Sequence, residues 1–342
     1  MTKILIVAPS WVGDAMLAQP LFMRLHERLP DLTLDVLAPA WVAPLLRRMP
    51  EVNEILINPF GHGAIKLRER WRFGRGLRDR NYDQAILLPN SLKSALAPFF
   101  AGIATRTGFQ GEARFGLVND MRELHRHALP LMVERFAALA EPSGNIPRFP
   151  IPQPKLRVIE SDRQRTLRKL GLTLERPIAA LCPGAEYGPA KRWPPAYFAE
   201  LAVKLSSAGY AVWIIGSAKD IEIGAEIASA SGNRAIDLCG KTSLDEAIDL
   251  LSCAALVVAN DSGLMHIAAA LDKPMLALYG SSSPRFTPPL SDHAKVIKLD
   301  LPCSPCFKRV CPLGHFNCMM QLTPERVMQS VGDLRIGRDK LV

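Results

Sequence analysis

A chain of 342 residues is too long for one typical hydrophobic core and fits two domains of ordinary size. With 48% hydrophobic and 22% charged residues it has the composition of a soluble globular protein, and no apolar run approaches the ~20 residues needed to span a bilayer. The net charge of +9 favours anionic partners, but the excess is +5 over residues 1–150 and +4 over the remainder, so neither half is a basic nucleic-acid module.

Residues 3–8 form a first predicted strand, and the short apolar run that ends at Pro9 lacks the form of an export signal, which predicts a cytoplasmic protein. Gly13 permits a tight turn after this strand, and Asp14 falls at the start of a helix over 15–29. A carboxylate there stands at the carboxyl edge of the sheet, where doubly wound folds hold ligands; an ordinary helix cap would occupy the same position. Strands near 33–37, 54–57 and 84–88 then alternate with helices over 40–48, 65–80 and 91–100, and strand-like pieces follow at 103–107 and 114–118. This rhythm predicts a parallel sheet covered on both faces. No G-x-G-x-x-G follows the first strand, which argues against a dinucleotide redox enzyme.

The segment 65–80 is densely basic, with Trp71 and Phe73 interleaved among Arg68, Arg70 and Arg72. Such a segment grips phosphates or rests on an anionic membrane surface; a solvated helix face is the plainer alternative. Gly74 and Gly76 weaken a regular helix and predict a mobile loop that closes on a substrate. Asn90, Ser91, Lys93 and Ser94 mark a second strand-to-helix junction suited to a ligand. From Pro142 to Pro154 the chain is rich in proline and should be an extended, stiff linker. It separates a first domain, 1–155, from a second, 156–322, with a terminal helix in 323–342 expected to cross back onto the first.

A helix over 161–170 leads into the second half, where strands at 178–182, 211–215, 235–238, 256–259, 275–279 and 296–299 alternate with helices over 195–208, 221–231 and 244–251 and one from Leu264. After the strand 178–182, a glycine-containing loop carries Lys191, an ammonium that can neutralise a departing diphosphate, although the spacing is not that of a Walker loop. The next two strands end in small-residue turns that offer Asp220 to ribose hydroxyls and Thr242 to a base or ribose edge, with helix capping as the alternative for each. Between 256–259 and the following helix lies Asn260-Asp261-Ser262-Gly263. Asp261 or Ser262 can cap the helix and Gly263 keeps side-chain bulk away, so free N–H groups and the helix dipole make a phosphate seat, toward which His266 points from one turn in.

Cys303-x2-Cys306-x4-Cys311-x6-Cys318, with His315 inside, reads as a zinc site before disulfides in a cytosolic chain. Its later gaps match no common zinc pattern, so zinc, disulfides and neither all stay open. Cys182, Cys239 and Cys253 read as small buried apolar residues.

Five stretches together resemble the lipopolysaccharide heptosyltransferases of glycosyltransferase family nine, most of all their heptosyltransferase II branch. They are Val7-Ala-Pro-Ser-Trp-Val-Gly-Asp14, Leu88-Pro-Asn-Ser-Leu-Lys-Ser-Ala95, Cys182-Pro-Gly-Ala-Glu-Tyr-Gly-Pro-Ala-Lys-Arg-Trp-Pro194, Asn260-Asp-Ser-Gly-Leu-Met-His266 and Leu278-Tyr-Gly-Ser281. The resemblance implies an α/β protein of GT-B architecture, two Rossmann-like doubly wound domains facing across a cleft. It implies that the second domain holds ADP-L-glycero-D-manno-heptose through Gly184, Glu186, Asp220, Thr242, Asp261, Ser262, Gly263 and His266, with Ser262 where Thr is common. The first domain would hold heptosyl-Kdo2-lipid A through Ser10, Trp11, Gly13, Asn90, Ser91, Lys93, Arg68, Arg70 and Arg72, at the cytoplasmic face of the inner membrane. Asp14 would be the base of an inverting transfer and Lys191 would stabilise the diphosphate, with no cofactor or catalytic metal and no nucleic-acid partner. A nucleotide-sugar epimerase with the same donor groove and a non-catalytic lipopolysaccharide-binding module are the competing readings.

Overall fold

The computed structural model describes residues 1–61, 63 and 65–339, with side chains up to Leu334; residues 340–342 of the expected terminal helix lie outside the described residues. The chain divides into two compact units, Met1–Pro154 and Lys155–Val342.

The first unit is built on β1 (Thr2–Val7), β2 (Leu32–Ala38), β3 (Glu54–Ile57), β4 (Gln84–Leu87), β5 (Thr105–Phe109) and β6 (Asp120–Arg122). All pairings are parallel and the spatial order is β3-β2-β1-β4-β5-β6. β1 and β4 read as near-continuous apolar runs because a central parallel strand is buried on both faces, and Ile4, Leu5, Ile6, Ala85, Ile86 and Leu87 are fully buried. Each of the leucines and isoleucines contributes roughly 1.5–3 kcal/mol relative to exposure. The chain starts at the centre, winds outward to β3, then returns to lay β4 on the other side of β1. The strand order therefore reverses between β1 and β4, and their carboxyl ends form the switch point of this sheet.

One helix was expected over 15–29; two are found, α1 (Val12–Leu17) and α2 (Gln19–Arg28). Pro20 explains the division, since its missing N–H and ring favour the first turn of a new helix over the interior of a continuing one. Next come α3 (Ala43–Arg47), α4 (Leu67–Gly76), α5 (Leu92–Phe100) and α6 (Met132–Ala138). The expectation of a mobile loop at Gly74 and Gly76 is corrected by α4, a regular helix packed on α5. A Cβ on Gly74 would lie 2.6 Å from Phe100 Cβ and 2.7 Å from the Ala97 carbonyl oxygen, so this glycine serves close packing. The strand expected at 114–118 is also absent: Phe115 and Val118 form only an isolated bridge, and Arg114 is completely buried. The proline-rich segment is tied to its own unit, because Arg24 on α2 donates to the Arg148 carbonyl at 2.9 Å and to that of Pro150.

The second unit repeats the plan with β7 (Ile178–Cys182), β8 (Ala211–Ile214), β9 (Ala235–Asp237), β10 (Ala254–Asn260), β11 (Met275–Tyr279) and β12 (Ala294–Lys298). The order β12-β11-β10-β7-β8-β9 is again all parallel, and its switch point lies between β7 and β10. Its helices are α7 (Glu160–Leu170), α8 (Pro195–Ser207), α9 (Ile221–Ala230), α10 (Leu244–Cys253), α11 (Gly263–Ala270), α12 (Asn317–Met320) and α13 (Pro324–Asp339). The expectation that the terminal helix returns to the first domain is corrected: Val327 and Val331 on α13 are buried in the second unit's core with Trp193, Phe198 and Leu322. Two apolar residues one turn apart commit that face of α13 to the core it completes. Among the described residues no helix is long and apolar enough to cross a membrane.

Candidate active site

In the second unit the residues singled out from sequence stand on four adjacent strand ends. Asp261 and Ser262 follow β10, Gly184 to Lys191 follow β7, Asp220 follows β8 and Thr242 follows β9. At the switch point Lys191, in a 3-10 turn over Pro189–Lys191, donates from Nζ to Asp261 Oδ2 at 2.5 Å across 70 positions of sequence. Asp261 is 4% exposed, and the lysine side chain is mostly covered too. Asn260 locks the two loops together, donating to the Pro183 carbonyl at 2.7 Å and accepting from the Trp193 N–H at 3.1 Å. The indole N–H of Trp193 in turn reaches the Leu322 carbonyl at 2.7 Å, so the lysine loop is anchored in the core.

Ser262 is the N-cap of α11, but its hydroxyl makes no capping bond and is buried without a hydrogen-bond partner. A helix N-terminus leaves donors for an external acceptor, and here the residue best able to satisfy one internally does not. The hydroxyls of Ser281 and Ser282, just beyond β11, are likewise buried and unpaired. Sequence reasoning gave these two serines no role. His266, 6% exposed in the second turn's start of α11, has its pKa lowered to about 4. Burial is the main cause, Lys191 adds to it and Asp261 opposes it. The imidazole is therefore neutral at pH 7.

Asp220 packs its carboxylate against Gly184, where a Cβ would lie 2.6 Å from Asp220 Oδ2. It accepts from the Ser217 N–H at 2.9 Å and hydroxyl at 2.7 Å, so the capping role holds for this residue. Thr242 differs: Ser243 is the cap of α10, paired with Glu246, which leaves Thr242 half-buried without a capping task. Glu186 is exposed and paired with Lys219.

In the first unit the switch point brings together the turn after β1 and the turn after β4. The first carries Ser10, Trp11, Gly13 and Asp14; the second carries Asn90, Ser91 and Lys93. Asp14 lies in the first turn of α1, whose N-cap residue is Trp11. Asp14 is half-buried and Asn90 exposed. Ser91 is the N-cap of α5, with no capping bond from its side chain, and Lys93 donates to the Gly63 carbonyl at 2.5 Å. Arg68, Arg70 and Arg72 do not share a face. Arg68 and Arg72 are exposed, whereas Arg70 is buried, donates to the carbonyls of Ile65 at 2.7 Å and Lys93 at 3.1 Å, and stacks on Phe60 at 4.2 Å. Arg70 thus holds the preceding loop, a departure from the ligand role expected of it.

Arg114 went unnoticed in the sequence because it sits in a segment read as a strand. Its buried guanidinium donates to the carbonyls of Pro89 at 2.8 Å and Phe109 at 2.5 Å and to Asn90 Oδ1 at 3.2 Å. Burial lowers its pKa and Glu112 opposes the shift. Glu112 also accepts from the Leu92 N–H at 2.8 Å, closing the start of α5. The pair fixes the Pro89–Ser91 turn from beneath.

Cys303, Cys306, Cys311 and Cys318 line one cavity of about 240 Å³ with Ala190 and Ser281. All four thiols are free, which removes the disulfide alternative, and among the described residues no group of three His, Cys, Asp or Glu is arranged to hold a metal ion. The segment buttresses the lysine loop: the Arg309 carbonyl accepts from Ala190 N–H at 3.0 Å, and the Tyr187 hydroxyl donates to the Phe307 carbonyl at 2.8 Å.

Comparison with known proteins agrees with this layout. The family model described as glycosyltransferase family 9 (heptosyltransferase) matches residues 70–317. Lipopolysaccharide heptosyltransferase 2 of Escherichia coli is 48% identical, over 98% of this chain and 99% of its own. Lipooligosaccharide heptosyltransferase 2 of Haemophilus influenzae is 46% identical, over 97% and 99%. The solved structure of the E. coli ADP-heptose lipopolysaccharide heptosyltransferase II superposes with a TM-score of 0.89 at 45% identity, covering 99% of this chain and all of that one.

Proposed function

The chain belongs to glycosyltransferase family 9, and on that premise we propose that it transfers L-glycero-D-manno-heptose from its ADP derivative to the 3-hydroxyl of the first heptose of heptosyl-Kdo2-lipid A. The observation that carries the reading is the Lys191–Asp261 pair at the N-terminus of α11, beside the unsatisfied Ser262 hydroxyl. A diphosphate leaving group gathers negative charge as the anomeric bond breaks, and this seat meets it with an ammonium, a hydroxyl and the N–H groups of Ser262 and Gly263. Positive charge thus comes from the chain itself. Asp261 holds the ammonium over the helix end, and His266, being neutral, adds no competing charge. Further along the same edge, Gly184 and Asp220 would meet the ribose and Thr242 the base or ribose, in the order in which their strands lie; Glu186 stands at the rim of the donor loop.

Asp14 is the general base in this reading. It takes the proton of the acceptor hydroxyl as that oxygen attacks the anomeric carbon from the face opposite the diphosphate, which inverts the configuration. Ser10, Trp11, Gly13, Asn90, Ser91 and Lys93 border the acceptor, with Arg68 and Arg72 facing its phosphates and Arg70 positioning the loop between them. Because the acceptor is lipid-linked, the enzyme works at the cytoplasmic face of the inner membrane as a peripheral protein.

The test is acceptor-dependent release of ADP from ADP-heptose. Release that requires heptosyl-Kdo2-lipid A supports transfer; conversion of the donor without acceptor supports an epimerase, and binding without conversion a non-catalytic module. Asp14→Asn should lower kcat by at least about a hundredfold while leaving ADP-heptose affinity nearly intact. Appreciable turnover by the folded variant would remove Asp14 from the base role.

A further inference from the structure

Trp11, Trp41 and Ile57 stand at the carboxyl ends of β1, β2 and β3, three neighbouring parallel strands, and are 43%, 52% and 47% exposed. The Trp41 indole N–H donates to the Ser10 carbonyl at 2.9 Å, which fixes this ring beside the turn that bears Trp11. From β3 the chain runs into α4; Ile65 just before it and Leu67 and Trp71 within it add exposed apolar surface, the last two one turn apart. This face is a built surface. Gly74 packs α4 on α5, Arg70 stacks on Phe60 and ties down Ile65, Lys93 ties down Gly63, and Phe60 meets Phe73 edge-on at 5.6 Å.

Around these apolar groups Lys66, Arg68, Arg72 and Arg75 are exposed, and the Arg75 guanidinium lies 5.1 Å from the centre of the Trp71 ring. Glu69 is the one acidic residue in α4. Tryptophan set among cations on an exposed face suits the boundary of a bilayer, where indole lies at headgroup level and Lys and Arg meet anionic lipid. Exposed apolar groups gathered on one sheet edge and on the outer face of one helix mark an interaction surface on a folded protein.

We propose that this rim is the surface by which the first unit lies on a membrane carrying anionic headgroups. The inference rests on the reading of a lipid-linked acceptor and deepens it: Ser10, Asp14 and Asn90 share the carboxyl edge with Trp11, Trp41 and Ile57, so a bilayer laid against the rim presents an anchored acceptor at that edge. Apolar insertion supplies the hold and the cations supply the preference for acidic lipid.

The experiment uses the full chain, sedimented with vesicles of phosphatidylcholine with and without phosphatidylglycerol. Two variants, Ile65→Ser/Leu67→Ser/Trp71→Ser and Lys66→Glu/Arg75→Glu, are first shown to keep the wild-type circular dichroism. The wild type should prefer the acidic vesicles, each variant should bind them at least about tenfold more weakly, and added salt should weaken binding. Both variants should keep turnover on an acceptor stripped of its acyl chains and lose it on acceptor embedded in vesicles. Unchanged vesicle binding by the folded variants, or none by the wild type, overturns the proposal. So does a wild-type dimer that the triple variant abolishes, since the rim would then belong to a second copy of the chain. Vesicle binding that follows the rim while no form turns over either acceptor supports the surface and sinks the transferase reading instead.

Discussion

The buried imidazole of His266 gives a sharp prediction about pH. Its pKa in the folded chain is about 4, against about 6.5 when exposed. As pH falls below about 6.5 the unfolded chain takes up a proton that the folded chain refuses, so stability is lost from there down to about 4 and levels off below. The gap corresponds to about 3 kcal/mol in all, of which about 2 kcal/mol is lost by pH 5. His266→Gln cannot titrate, so wild type should lose about 2 kcal/mol more than the variant between pH 7.5 and pH 5. Urea unfolding followed by tryptophan emission reads the relevant unit: Trp193 and Trp213 are buried in the second unit, while Trp11, Trp41 and Trp71 of the first are already exposed. Parallel losses in the two proteins, within about 0.5 kcal/mol, would refute the argument, as would an imidazole titration in the folded protein centred above about pH 6.

Other consequences follow from the same geometry. Lys191→Met should cut turnover by about a hundred- to a thousandfold and leave Asp261 buried without its cation, at a cost of about 1–3 kcal/mol. Adding Asp261→Asn should restore much of that stability and none of the turnover; restored turnover would show that Lys191 acts only structurally. Gly74→Ala should lose about 1–3 kcal/mol despite alanine's better helix propensity, because its Cβ would meet backbone at 2.7 Å. A thermal midpoint equal to or above that of wild type would mean α4 and α5 can separate without cost.

Much of the fold was legible because strands buried on both faces and helices buried on one leave different periods in the sequence. The bounds expected for Ile178–Cys182, Met275–Tyr279 and Glu54–Ile57 coincide with those of the strands found. The errors have physical causes. Residues 15–29 carry one apolar pattern through Ala18, but Pro20 starts a second helix. Gly74 was read by its intrinsic flexibility, whereas its lack of a side chain is used to bring α4 against α5. Residues 114–118 look like a strand, yet the Arg114 carbonyl accepts from the N–H groups of Leu117 and Val118, so the backbone turns there instead of extending. The terminal helix was assigned to the wrong core because an apolar stripe announces that it will be buried without saying against what.

By itself the sequence determined the α/β alternation, the family and the set of strand ends that carry reactive side chains, since each is written in short stretches of local pattern or motif. Which of those ends become neighbours was decided only by tertiary structure. Nothing local sets the order β10-β7-β8-β9, brings Lys191 onto Asp261, slides a buried guanidinium under Asn90 or leaves the Ser262 hydroxyl unsatisfied. Those are outcomes of crossover connections and long-range packing, where residues far apart in sequence compete for the same hydrogen-bonding groups, and they gather a list of polar residues at one edge of one sheet.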